Sequence, residues 1–351
     1  MKPFRIDLYS DTQTRPTAEM RKAIAAAEVG DEQNGEDPTI EALRQRICDL
    51  LGTEDAVFLP SGTMANEIAL LVHCRHGDEV IAHETSHVIN FEGGAPAAFA
   101  GVMFKPLAGP RGLFDAQALM DALHDDNRYA PPTRLVVVEQ TANLGGGTVW
   151  PIEQMREVAK VARRADLSLH MDGARLMNAV IASGHKAAEY AALFDTVFMD
   201  FTKGLGAPFG AVLAGRKEHI RDAWRWKQRM GGSMRQAGMM AAGCLYALDN
   251  HVERLAEDHA NAKLLRDSLL RIPDLHVFPV DTNLVYFDVA ALGLDAESFN
   301  QSLEPYGLRV SVLGKTLVRA VTHLDVSKQD VEEAAEIITQ ILRQRTAGGA
   351  R

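Results

Sequence analysis

Cysteine is scarce: Cys48, Cys74 and Cys244 form an odd, widely spaced set with no C-x-x-C pair. That excludes a disulfide framework and a zinc site built on paired thiolates, and it suits a reducing compartment. Positive charge is in deficit, with 37 Lys and Arg against 47 Asp and Glu and a net charge of -10. Nucleic acid is therefore not an expected partner. The one basic cluster, RDAWRWKQR at 221–229, is short and reads as a solvated helix face unless something anionic lies beside it. No window approaches the roughly 18 apolar residues of a membrane span, and the opening MKPFRIDLYSD lacks the apolar core of a secretion signal. The expectation is a soluble, cytoplasmic protein with no membrane partner. Two nucleotide fingerprints are also missing. The lysine of TKGLGAPFG (202–210) precedes its glycines, the reverse of a P-loop, and GGAPAAFAG (93–101) is not G-x-G-x-x-G.

What is present is ordinary globular composition, 46% hydrophobic and 24% charged, in a chain of 351 residues, longer than one core usually supports. Short apolar runs at 56–60, 134–139, 167–172, 195–200 and 210–215 alternate with amphipathic stretches. This predicts an α/β domain with a mostly parallel sheet over residues 1–250. Thr39 is expected to cap a helix whose apolar stripe is Ile40, Leu43, Ile47 and Leu50. Residues 62–73 follow a strand and a glycine turn and predict a helix whose first N–H groups could receive an anion. From 251 to 351 the pattern changes to a helix (252–271), short strands (283–289 and 315–321) and a helix from Ser327 with Asp330 as its capping partner. That predicts a smaller α+β domain. The tail RTAGGAR (345–351) is expected to fray.

Chemistry concentrates at the ends of predicted strands, where ligands of open α/β sheets collect. HMDGAR (170–175) carries Asp172 and Arg175, and MDFTKG (199–204) carries Lys203. Each alone reads as a surface lysine or a local ion pair. Together, an amine, a carboxylate and a guanidinium are what pyridoxal 5'-phosphate requires: Lys203 to carry its aldehyde, Asp172 to keep its ring nitrogen protonated, Arg175 to meet its phenolic oxygen. Gly62 and Thr63 in LPSGTMAN (59–66) suit its phosphate, although by themselves they read as an ordinary helix start. His87 could stack on the ring, but His73, His76 and His83 lie nearby in the chain and position does not choose among them. Arg319 could grip a substrate carboxylate with a bidentate fork.

The segments SDTQTRPT (10–17), VGDEQNGEDPT (29–39), LPSGTMAN (59–66), HMDGARLMNA (170–179), TKGLGAPFG (202–210), GGSMRQAG (231–238) and VRAVTHLDVS (318–327) resemble, in order, those of low-specificity L-threonine aldolases. These belong to the β-eliminating lyase group of fold-type-I pyridoxal-phosphate enzymes. The resemblance implies cleavage of a small-molecule L-β-hydroxy-α-amino acid, such as threonine or allo-threonine, to glycine and an aldehyde. It implies a covalent link between Lys203 and the cofactor, a pyridinium partner in Asp172, a phenolic-oxygen contact from Arg175, ring stacking by His87, phosphate binding by Gly62 and Thr63, and carboxylate binding by Ser10 and Arg319. It further implies that Arg235 reaches a neighbouring subunit's phosphate, in a homotetramer built from dimers. Two positions depart from the family pattern: Asn34 stands for a tyrosine and Ala142, in EQTAN (139–143), for a histidine. Both family residues line the region of the substrate's β-substituent, so a roomier site with one fewer proton carrier is expected, and His87 is left as the candidate base. A racemase or a β-eliminating lyase on the same scaffold is the alternative, since the same electron sink serves Cα–H cleavage.

Overall fold

The computed structural model describes residues 4–125 and 127–348. Among them, strands run in chain order from β1 (Ile6–Leu8) through β2 (Asp55–Leu59), β3 (Glu79–His83), β4 (Met103–Leu107), β5 (Thr133–Glu139), β6 (Ser168–Gly173), β7 (Thr196–Asp200) and β8 (Ala211–Gly215) to β9 (His276–Val277), β10 (Leu284–Asp288), β11 (Leu308–Val312) and β12 (Leu317–Val321). The larger sheet has the order β2-β8-β7-β6-β5-β3-β4. All its pairs are parallel except those of β8, which runs antiparallel to both β2 and β7. The strands at its centre are apolar along both faces because helices cover both: β7 and β8 are buried at every position. The apolar runs of the sequence thus became strands, and the glycine turn at 62 opens the helix Gly62–His73.

The second sheet has the order β1-β11-β12-β10-β9. β1, which sequence reading groups with residues 1–250, pairs in parallel with β11 here. Ile6 and Leu8 are buried in the core of this C-terminal unit. Crossing between the units are the hydrogen bonds of Tyr286 Oη to Asn143 O (2.8 Å) and Thr282 Oγ1 to Gly147 O (2.9 Å).

Three local expectations are corrected. The helix Pro38–Leu51 is capped by Asp37, whose Oδ1 accepts from the N–H groups of Thr39 and Ile40, while Thr39 Oγ1 donates to Glu28 O. A carboxylate one turn-start earlier outcompetes the threonine, and Pro38 fits the first helical position. The basic run at 221–229 is only partly solvated: Lys227 is wholly buried, ion-paired with Glu32 and stacked over Trp224. The final helix, Lys328–Gly348, continues through the first part of the segment expected to fray; 349–351 lie outside the described residues. The Ser327–Asp330 cap forms as expected. Among the described residues no helix is long and apolar enough to cross a membrane.

Candidate active site

The carboxyl ends of β5, β6 and β7 carry Glu139, Asp172 and Asp200: Glu139 lies opposite Asp172, and Asp200 ends β7 just beyond Phe198, which lies opposite Asp172 on the other side. Lys203 follows β7 in a turn, and its amine donates to Asp200 Oδ2 at 2.9 Å. Thr14 Oγ1 donates to the Lys203 carbonyl at 3.0 Å, which fixes the turn against the N-terminal segment. Asp172 is buried, with Oδ2 accepting from Asn66 Nδ2 (2.9 Å) and Oδ1 from the Ala174 N–H (3.1 Å). Both donors present hydrogen to it, so both of its oxygens serve as acceptors.

Arg175 is almost wholly buried and forms a two-point ion pair with Asp11, both contacts at 2.7 Å. Burial works against the Asp11 charge, but the guanidinium overrides it and holds the carboxyl far below the usual range; the charge of Lys203 adds to the effect. Arg175 Nη1 also reaches Asn143 Oδ1 at 3.3 Å, and Arg319 Nη1 reaches the same oxygen at 3.2 Å. Asn143 therefore ties the arginine of the large sheet to the arginine of the small one. Arg319 further donates to Ser311 Oγ (3.1 Å) and Tyr9 O (3.4 Å), while its Nε is buried without a partner. Ser10 Oγ accepts from the N–H and hydroxyl of Thr12, which leaves its own hydrogen to give.

His87 opens the short helix His87–Asn90. Its N–H donates to Glu139 Oε2, and Glu139 Oε1 accepts from the Asn143 N–H, both at 2.8 Å, so one carboxylate brackets two functional segments. The His87 ring meets Glu92 Oε1 through Nδ1 at 2.8 Å. Burial pulls the imidazole pKa down, but Glu92 and the charge of Asp172 outweigh it and the net direction is up. Glu139 is pushed up to about 7, by burial first and then by Asp172, with the Asn143 and His87 N–H groups opposing.

Lys203, Asp172, Arg175, His87 and Arg319 thus fall into one cluster, and Ser10 precedes Asp11, the partner of Arg175, in the chain. Gly62 opens the helix whose fifth residue, Asn66, holds Asp172. A Cβ on Gly62 would lie 2.5 Å from Phe198 Cζ, so the glycine lets the helix start close against β7. Thr63 beside it is exposed.

Three further positions lie outside this cluster. Asn34 is exposed in the turn Glu32–Asn34, and Arg235 pairs with Asp31 at 2.7 Å with its side chain 60% exposed; neither is bonded into the cluster within this chain. Ala142 is buried, at 3% exposure, and does not open the site. A Cβ on Gly112 would lie 2.7 Å from Ala142 Cβ, so the loop at Gly112 packs closely against residue 142. Sequence reading also missed Asp11, Asn66, Glu92, Glu139, Asn143 and Asp200. Several lie inside the quoted segments, but their partners are far away in the chain, 164 residues for Asp11 and Arg175.

The donor set fits pyridoxal 5'-phosphate: an amine in a strand-end turn, a carboxylate fixed as an acceptor, a helix N-terminus, and an arginine with a buried, unsatisfied N–H.

A family model described as Beta-eliminating lyase matches residues 7–292. The low specificity L-threonine aldolase of Escherichia coli K12 is 39% identical over 336 residues, covering 94% of this chain and 97% of that one. More distantly, the alanine racemase TOXG of Cochliobolus carbonum is 30% identical over 351 residues, covering 97% and 88%. Among solved structures, the threonine aldolase of Leishmania major superposes with a TM-score of 0.84 at 20% identity, over 96% of this chain and 99% of that one.

Proposed function

This chain belongs to the beta-eliminating lyase family, and we propose that it is a pyridoxal 5'-phosphate-dependent aldolase cleaving the Cα–Cβ bond of an L-β-hydroxy-α-amino acid to glycine and an aldehyde. The observation that carries this reading is the convergence of Lys203, Asp172, Arg175 and His87 at the carboxyl ends of parallel strands, with Arg319 and Ser10 facing them from the other side through Asn143 and the N-terminal segment.

When bound, the cofactor supplies a conjugated, electron-accepting ring for the bond that breaks at Cα. Lys203 offers the amine that holds it, and Asp200 keeps that amine in place. Asp172 accepts the ring N–H, and Arg175, with N–H groups left over after its bonds to Asp11 and Asn143, serves the phenolic oxygen. The N–H groups of Gly62 and Thr63 at the helix start serve the phosphate. Arg319 and Ser10 bind the substrate carboxylate and so decide which Cα bond is presented. His87, with Nδ1 turned to Glu92, uses Nε2 to take the proton of the β-hydroxyl, help typically worth about 10²–10⁴ in rate.

Arg235 lies outside its own cluster and exposed, which supports its use by a second copy and a homodimer-based tetramer with sites at subunit interfaces. The absence of a membrane-crossing helix among the described residues agrees with a cytoplasmic enzyme. A second reading, racemisation at Cα by the same residues, is favoured by the match to TOXG. Incubation with L-threonine, L-allo-threonine and phenylserine, and separately with L-alanine, decides between them. The aldolase reading expects equal amounts of glycine and aldehyde, dependent on added pyridoxal 5'-phosphate. Racemised alanine without aldehyde from any β-hydroxy substrate would overturn it.

A further inference from the structure

We propose that Glu67 is a positioning residue for His87: its protonated carboxyl donates a hydrogen bond to Glu92 Oε2, and Glu92, capped on that oxygen, takes the Nδ1–H of His87 on the other and leaves Nε2 free as the base. This rests on the role of His87 in the proposed reaction. The case begins with a count of donors. Glu92 Oε1 already accepts from Asn66 Nδ2 and from His87 Nδ1, both at 2.8 Å. Glu92 Oε2 and both oxygens of Glu67 are buried and have no partner. Glu67 is 1% exposed and Glu92 5%. Three buried carboxylate oxygens without a donor would be costly to keep. One proton shared between the two carboxyls pairs two of the three, one oxygen of Glu67 as donor and Glu92 Oε2 as acceptor, and leaves only the carbonyl oxygen of a neutral acid without a partner.

That proton belongs to Glu67, because Glu92 Oε1 already receives two donors while neither oxygen of Glu67 receives any. Burial, and then the adjacent Glu92 carboxyl, push Glu67 up to about 8, so it holds its proton at neutral pH. The other groups packed around the pair do not supply a competing cation. Asn66 is neutral. His170, bonded to Asn66 Oδ1, is kept neutral by burial, which brings it down to about 4. Asp172 lies beyond Asn66, and Glu139 holds the His87 backbone. From the helix Lys217–Arg229, Arg229 shares a cavity of about 620 Å³ with Glu67 but stacks over Trp226 at 4.4 Å. The Glu67–Glu92–His87 series resembles in logic a carboxylate that orients a catalytic imidazole, with a second carboxylic acid orienting the first.

The test uses the full chain labelled with ¹⁵N in histidine, with and without pyridoxal 5'-phosphate, and reads the His87 ring nitrogens from pH 6 to 10. The proposal expects the ring, once neutral, to be the Nδ1–H tautomer, and a transition in the His87 signals, separate from the ring's own protonation, near the Glu67 value of about 8. In Glu67→Gln the amide donates permanently, so the tautomer persists and that transition vanishes. In Glu67→Leu the cap is lost and Glu92 takes up a proton. His87 then moves toward the Nε2–H form, and kcat falls at least tenfold below that of Glu67→Gln with KM little changed. A wild-type His87 in the Nε2–H form at pH 7, or an unchanged transition in Glu67→Gln, would overturn the proposal even if Glu67→Leu fails to fold. Because the tautomer is read without turnover, it stands or falls separately from the aldolase assignment.

Discussion

Two aspartates four positions apart make the same two-point contact with an arginine, and they differ in burial. Asp11 meets Arg175 through two contacts of 2.7 Å, with side chains 0% and 5% exposed. Asp7 meets Arg309 through contacts of 2.8 and 2.7 Å, with both side chains 26% exposed. Replacing Asp11 by alanine leaves a guanidinium buried without its counter-charge and also frees Asn283 Nδ2, which donates to Asp11 at 3.1 Å. Breaking such a buried pair costs about 3–5 kcal/mol. Replacing Asp7 leaves Arg309 within reach of water, for about 0–1 kcal/mol. With a urea dependence of about 3 kcal/mol per molar, Asp11→Ala lowers the unfolding midpoint by about 1 M or more, and Asp7→Ala lowers it by less than about 0.3 M. Urea titration of both variants without cofactor, followed by circular dichroism, makes the comparison. Equal shifts would refute the claim that burial sets the worth of these pairs. For Asp11 the acid side follows as well: its carboxyl is held below its ordinary value, so its contribution is full above the usual carboxylate range and is lost as pH falls toward the depressed value.

Gly62→Ala places a methyl 2.5 Å from Phe198 Cζ and is expected to cost about 1–3 kcal/mol, recovered in part by Phe198→Leu in a double variant measured by urea titration. Ala142→His, which restores the residue usual in the resembling family, drives an imidazole against the backbone at Gly112; a loss of about 1–3 kcal/mol is expected, and a gain in turnover would contradict the close packing seen there. Asn143→Ala removes the oxygen shared by Arg175 and Arg319 and should raise KM for the amino acid, with a smaller change in cofactor affinity measured by absorbance titration.

The sheet was legible because its strands are short apolar runs, and runs such as 134–139 and 195–200 fall almost residue for residue on β5 and β7. Lys203 and Asp172 were legible because strand ends are where such ligands gather. The supporting shell was not. Asp11, Asn143 and Glu92 are ordinary polar residues in the sequence, and their importance comes from partners brought together only by folding. β1 shows the same limit: three residues near the start of the chain give no sign that their pairing partner is β11, some 300 positions on. Ala142 was readable as a change but not in its consequence, since the backbone packed against it belongs to a glycine in a different loop.

The central claim is that one amine, that of Lys203, holds the cofactor. Borohydride reduction of the cofactor-loaded protein, followed by peptide mapping, tests it most directly. The account predicts the reduced pyridoxyl group on Lys203 and no label in Lys203→Ala; a label on any other lysine, or an unchanged label in that variant, would contradict it.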